Sequence, residues 1–175
     1  MVRIQKQYVF EGPNGRVDLR DLFQGRRRLI VYHFPFDPGW DEGCGRSSHL
    51  ADQVAGGIVH LPARDTSFAA VSRAPLAQIE SCQKRMGWTF PWLSSLDNDF
   101  NDDFRVTLDD ADDADDAETN VELPGLSVFV RDGNEVFHAY STHQRRLDGL
   151  FGTYDSLELT PLRRHDRFPP QQARR

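Results

Sequence analysis

The sequence predicts an α/β sandwich around a mixed β-sheet, opened by an N-terminal hairpin. Three observations carry that reading. The run Leu29-Ile30-Val31-Tyr32-His33-Phe34 is apolar on both faces, as a strand covered from two sides must be. Leu50, Val54, Ile58 and Leu61 then recur at spacings of 4, 4 and 3, a helix face, before a second apolar run from Phe68 to Val71. Turn signals at Gly12-Pro13-Asn14-Gly15 and Asp132-Gly133-Asn134 each separate apolar segments, as hairpins require.

The remaining elements follow in order. Tyr8-Val9-Phe10 and Val17-Asp18-Leu19 flank the first turn. Leu19, Leu22 and Phe23 suggest a short helical turn stopped by Gly25. Pro35, Pro38 and Gly39 end the Leu29–Phe34 strand. Gly56-Gly57 weakens the helix running to Leu61 without having to break it. Pro75 suits a first helical residue, with Leu76, Ile79, Gln83 and Met86 on one face up to Gly87. Phe90 to Ser94 reads as a short strand, Leu126 to Arg131 and Glu135 to Tyr140 as the second hairpin, and Leu147 to Tyr154 as a helix. Strands alternating with helices and followed by an antiparallel pair make a thioredoxin-like three-layer architecture the natural candidate at this size.

At 175 residues the chain is one ordinary domain, read as residues 1–162. Residues 107–123 form a polar, flexible loop in this reading, and 163–175 a basic, disordered tail. The net charge of -6 is concentrated: positions 109–118 hold seven acids, and the remainder carries +1. That body lacks the basic face of a nucleic-acid binder. No apolar stretch approaches the ~20 residues of a membrane helix, and the opening residues lack a signal-peptide core, so a cytoplasmic protein is expected. Cys44 and Cys82 are too few for a disulfide framework or a cysteine-rich zinc site, and no spacing of Cys, His and Asp matches a metal centre. Neither metal nor cofactor is called for.

Cys44 carries the chemistry. It falls between the end of a buried strand and the start of a helix, where backbone N–H groups and the helix dipole favour a thiolate, the nucleophilic form. Arg46 would add to that field, and Asp41 and Glu42 would oppose it. Trp40 would stand as an apolar wall beside the sulfur. Cys82 lies beside Ile79 on an apolar helix face and reads as a buried, inert thiol. His33 reads as a satisfied core side chain, and His49 as a solvated one.

The segments WDEGC, FAAVSRAPLAQIE, RMGWTFPWLSS, DFNDDF, SVFVRDG, VFHAYST and LFGTYDSLELTPL resemble a bacterial family of predicted dithiol-disulfide oxidoreductases of thioredoxin-like fold, itself a domain of unknown function. The resemblance runs from about Tyr8 to Leu162. It implies a thiol or disulfide substrate, small molecule or protein, handled at the turn that carries Cys44, with Leu126 and Ser127 on a substrate-pairing edge beside Trp40 and Arg46. Members usually carry an additional helical segment before the first strand, and a Cys-Pro-Gly-Cys turn. This chain reads Cys44-Gly45-Arg46-Ser47, so Ser47 takes the second cysteine's place. Ser47 cannot resolve a mixed disulfide, but it can donate a hydrogen bond to the Cys44 thiolate. Single-thiol chemistry remains, resolved by an outside thiol.

Two other readings stay open: a non-catalytic thioredoxin-like binding module with a degenerate site, and a single-cysteine peroxidase. The peroxidatic pattern P-x-x-x-T-x-x-C is not met, because Asp37 and Asp41 stand where Pro and Thr belong.

Overall fold

The computed structural model describes residues 1–104, 107–108, 121–143 and 147. Its centre is a mixed eight-stranded sheet in the order β1-β10-β9-β4-β5-β6-β2-β3. The strands are β1 (Val2–Arg3), β2 (Val9–Gly12), β3 (Gly15–Asp18), β4 (Arg28–His33), β5 (Thr66–Ser72), β6 (Trp92–Ser94), β9 (Gly125–Asp132) and β10 (Glu135–His143). A separate two-stranded ladder pairs β7 (Thr107–Leu108) with β8 (Val121–Glu122). β4, β5 and β6 run parallel, and every other pairing is antiparallel. The expected mixed sheet with an N-terminal hairpin is therefore present.

β4 is apolar from Leu29 to Tyr32 because both of its faces are covered there. Ile30 and Tyr32 look toward α1 (Gly45–Gly57) and α2 (Leu76–Met86), into a core that includes Phe34, Leu50, Phe68, Ile79, Met86, Trp88 and Trp92. Leu29 and Val31 look the other way, toward Tyr8, Phe10, Phe23, Phe100, Phe104 and Phe129. Period-two alternation thus splits one strand between two cores. Aromatic rings dominate both: Phe34 lies 4.6 Å from Trp92, and Phe100 lies 4.7 Å from Phe104, centroid to centroid.

Local chemistry sets the boundaries. Gly15 adopts φ +108°, which completes the tight turn between β2 and β3. Gly87 takes a left-handed conformation after α2, and its N–H reaches back to the Lys84 carbonyl. Pro75 proves to be the N-cap of α2 and Leu76 its first residue. α1 ends at Gly57, so of the two residues expected to continue its face Ile58 opens a short 3-10 turn (Ile58–His60) and Leu61 stands between that turn and the next (Pro62–Arg64). Tandem glycines end the α-helix because each forfeits backbone entropy. The short helix α3 (Phe100–Asp103) and the edge strand β1 went unpredicted. Within the segment read as a loop, both ends pair as β7 and β8, while residues 109–120 lie outside the described residues. So do residues 148–154 of the expected final helix and the tail 163–175; Leu147 is buried in the helix-side core.

At the end of β4, on the α3 side, sits a polar chain. His33 Nε2 meets Ser127 Oγ at 2.8 Å, Ser127 meets Ser141 Oγ at 2.8 Å, and Ser141 meets His138 Nε2 at 2.7 Å. The His33 ring stacks on Phe100, and its Nδ1 is buried without a hydrogen-bond partner. Burial first, and the His143 charge second, push the His33 pKa from 6.5 down to about 3.

Two outcomes are expected. Phe100→Ala should cost about 3–5 kcal/mol in urea unfolding, and the half-exposed Leu96→Ala less than about 0.5 kcal/mol. His33 stays neutral in the folded chain, whereas the unfolded chain protonates it near its ordinary value. Its contribution is complete above pH 6.5 and is lost as pH falls toward about 3. The loss is at most about 1.4 kcal/mol per pH unit. His33→Asn should flatten the pH dependence of the urea midpoint in that window; an unchanged slope would contradict the assignment.

Candidate functional site

The site is built at the carboxyl ends of β4 and β5. Phe34 N–H donates to the Val71 carbonyl at 2.9 Å, and Ser72 Oγ donates to the Phe34 carbonyl at 2.6 Å. Trp92 Nε1 donates to the same Ser72 oxygen at 2.9 Å. The chain then leaves the sheet in a loop whose turn is tied by Asp37: its Oδ1 accepts from Gly39 N–H and its carbonyl from Trp40 N–H. Cys44 N–H closes the loop onto the Pro35 carbonyl at 3.2 Å.

Cys44 is the N-cap of α1, with extended backbone angles (φ -57°, ψ 124°). Its carbonyl accepts from Ser48 N–H at 2.9 Å and from Ser48 Oγ at 3.0 Å. Its side chain makes no capping hydrogen bond, and the first turn of the helix carries no acid. Cys44, a partly exposed residue, therefore stands at the positive end of a 13-residue helix. Of the two acids before it, Glu42 is neutralised by Arg85, with Oε1 2.7 Å from Nη1. Asp41 faces a recess between the loop and α2.

The other expected residues divide sharply. Trp40 is 38% exposed on the loop, and Arg46 lies in the first turn of α1. Ser47 is only 1% exposed, and its Oγ has no hydrogen-bond partner. The expected bond from Ser47 to the Cys44 sulfur is thus not formed, because the hydroxyl packs into the protein beneath the first turn. Tyr32 lies on that side too: its Oη donates a long hydrogen bond, 3.4 Å, to the Ser47 carbonyl, and burial raises its pKa. The substrate-pairing edge expected for Leu126 and Ser127 does not exist. β9 runs between β4 and β10, with Leu126 opposite Tyr32 and Thr142, and Ser127 opposite Val31 and Ser141. The Ser127 side chain is sealed in the His33 chain, and Leu126 packs toward the helix-side core.

Cys82 is 4% exposed, in keeping with its reading as a buried thiol, and Arg85 Nη2 lies 4.0 Å from its sulfur. His49 is half-buried and meets Gln53 at 3.0 Å. Among the described residues, no group of three or more His, Cys, Asp or Glu could hold a metal ion, and no helix is long and apolar enough to cross a membrane. Sequence reasoning missed Arg85, whose place three positions after Cys82 was visible but whose partner on a distant loop was not.

Ser47→Ala should leave stability nearly unchanged or raise it, since the lost hydroxyl has no partner. Ser72→Ala, which strands the Trp92 N–H, should cost about 1–3 kcal/mol by urea unfolding. Iodoacetamide should label Cys44 in the folded chain and Cys82 only after denaturation, as peptide mass mapping would show.

The fold has well-known company. The Xanthomonas campestris peroxiredoxin Q structure is similar over 85% of this chain and 89% of that one, at TM-score 0.61 and 14% identity. A Xylella fastidiosa PrxQ mutant matches over 85% and 88%, at TM-score 0.59 and 14% identity. Peroxidoxin BcpB from Mycobacterium tuberculosis matches over 87% and 94%, at TM-score 0.57 and 13% identity. At such identities the likeness concerns the fold, a thioredoxin-like α/β arrangement. No curated protein matches the chain. A family model described as bacterial protein of unknown function (DUF899) matches residues 1–175.

Proposed function

The chain belongs to the DUF899 family of bacterial proteins, and from that premise we propose that it is a thiol-disulfide oxidoreductase with Cys44 as its single nucleophile. One observation carries the reading: a partly exposed cysteine at the start of a long helix, its own side chain engaged in no cap and Glu42, two positions before it, paired with Arg85. The thiol-redox fold of the structural neighbours supports it.

The reaction needs only this chain and two sulfur compounds. The Cys44 thiolate attacks one sulfur of a disulfide R–S–S–R. A Cys44–S–S–R bond forms, the original S–S bond breaks, and RS⁻ departs to take a proton from water. A thiolate from a second molecule then attacks the substrate sulfur of the mixed disulfide and releases Cys44 as thiolate. Ser47, unable to supply that second thiolate, leaves the step to an outside thiol. Helix N–H groups stabilise the charge on Cys44 before attack and on its departure. Both cysteines are free, which suits a reducing cytoplasm.

A disulfide fits this site better than a peroxide. Peroxide reduction gains from donors around the peroxide oxygens, whereas Asp37 is spent on its own turn and Asp41 offers a carboxylate acceptor. Incubation with oxidised glutathione should add one glutathionyl group, located at Cys44 and removable by free thiol. Cys44→Ser should abolish the addition with its circular dichroism spectrum intact. Labelling that persists in Cys44→Ser, or a chain oxidised by hydrogen peroxide faster than by the disulfide, would sink the reading. A wholly unreactive Cys44 would favour the binding module instead.

A further inference from the structure

The near-neutral body has a basic end. β4 opens with Arg28, preceded by Arg26 and Arg27; β5 opens two residues after Arg64; and β9, antiparallel to β4, closes with Arg131 and Asp132. Backbone groups tie the three segments together. Arg27 N–H donates to Asp65 Oδ1 at 3.1 Å, Arg28 N–H to the Asp65 carbonyl at 3.2 Å, and Arg131 N–H to the Arg27 carbonyl at 2.8 Å. Arg26, Arg27, Arg28, Arg64 and Arg131 thus share one rim of the sheet, at the opposite end of β4 from the Cys44 loop. Asp65 and Asp132 are the acids on these segments, so the rim stays net basic. Among the described residues none of the five arginines enters an ion pair. Neutral acceptors fix two of them. Arg26 Nη1 donates to Gln24 Oε1 at 2.8 Å and to Ser67 Oγ at 3.1 Å, and Arg131 Nη2 to the Gly25 carbonyl at 3.0 Å. Such bonds hold a guanidinium in place and leave its charge uncancelled. Arg27, Arg28 and Arg64 are exposed. Beside Arg26 lies a groove of about 210 Å³ lined in part by Ile58, Val59, Leu61 and Pro62, with Val59 68% exposed.

We propose that this rim docks the acidic run at 109–118 of a second copy of the chain. Charge complementarity favours that occupant. The run places seven acids in ten residues, the opposite of the rim in sign and comparable in extent. Its Ala111, Ala114 and Ala117 recur at every third position and supply small apolar side chains for the groove beside Arg26. The chain's own run is badly placed for the same contact. It leaves β7 and returns to β8, and Glu122 of β8 is bound to Arg73, at the carboxyl end of β5. The rim lies at the amino end of that seven-residue strand, about 20 Å away. Residues 109–120 give each arm of the connection six residues, a reach of at most about 20 Å when fully extended. The run's tip could touch its own rim but could not lie along it. Two copies lying antiparallel meet no such limit: each gives a run and takes one, which closes the pair. Nothing in this contact depends on the chemistry of Cys44.

Sedimentation of the full chain tests the contact. At low ionic strength the weight-average mass should climb with concentration toward twice that of one chain. In about 1 M salt, where the screening length falls to about 3 Å, it should return to that of one chain. Two variants divide the contact. A rim variant carries Arg27→Ser, Arg28→Ser and Arg64→Ser. A run variant carries Asp→Asn at Asp109, Asp110, Asp112, Asp113, Asp115 and Asp116. Each should sediment as a single chain at low salt with an unchanged circular dichroism spectrum. Mixed in equal amounts, they should associate again, because one keeps its rim and the other its run. A chain that stays single at every concentration overturns the proposal. So does association that resists salt or survives in either variant, and so does a mixture that fails to associate. Where the unaltered chain stays single but the run variant binds a single-stranded oligonucleotide or anionic phosphatidylserine vesicles, the rim serves another polyanion and the assignment to a second copy falls.

Discussion

The hydrogen bond from the Cys44 amide to the Pro35 carbonyl is the constraint on which the site depends. It brings the start of α1 back to the point where the chain left the sheet. Pro35 is itself placed by Phe34, which is pinned to β5 through Val71 and Ser72. Ser72 is in turn fixed by Trp92 from β6. The position of one sulfur is thus referred, bond by bond, to three neighbouring parallel strands. This is why a loop rich in proline, glycine and acids can hold Cys44 in a fixed place without secondary structure of its own.

Charge arrangement follows from the same geometry. A helix start offers its N–H groups to an anion, yet the sequence puts two carboxylates just ahead of Cys44. The fold separates their effects. Glu42 is drawn away by Arg85 on α2, so that one ion pair both screens the sulfur from a negative neighbour and fastens the loop to the helix. Exposed as it is, the pair adds little to stability; what it contributes is position. Asp41 is left to face the recess between the loop and α2.

The sheet was legible in the sequence wherever one strand had to satisfy two cores. The unbroken apolar run of β4, the two glycine-bearing hairpin turns and the helix of Leu76 to Met86 could all be read from periodicity and turn chemistry. So could the placement of Cys44, because a strand end followed by a helix start is a local pattern. Less legible were features fixed by distant partners. The two-residue strands β1, β7 and β8 exist through pairing rather than through any propensity of their own. Leu126 and Ser127 were assigned to an edge because nothing local reveals that β10 continues past them. The silent hydroxyl of Ser47 depended on which way the first turn of α1 faces, and the Glu42–Arg85 pair joins residues far apart in the chain.

The chain of hydroxyls and imidazoles behind β4 has a consequence for proton bookkeeping. Each of its contacts needs a hydrogen, and each serine supplies one. At least one imidazole must therefore present an N–H at Nε2. If both did, one serine hydrogen would be left over from the chain of contacts. The satisfied arrangements are two, with every hydrogen directed from His33 toward His138 or every hydrogen directed back. The tautomer of the ring deep in the core is thereby tied to that of a ring nearer the surface, and neither can invert without the other.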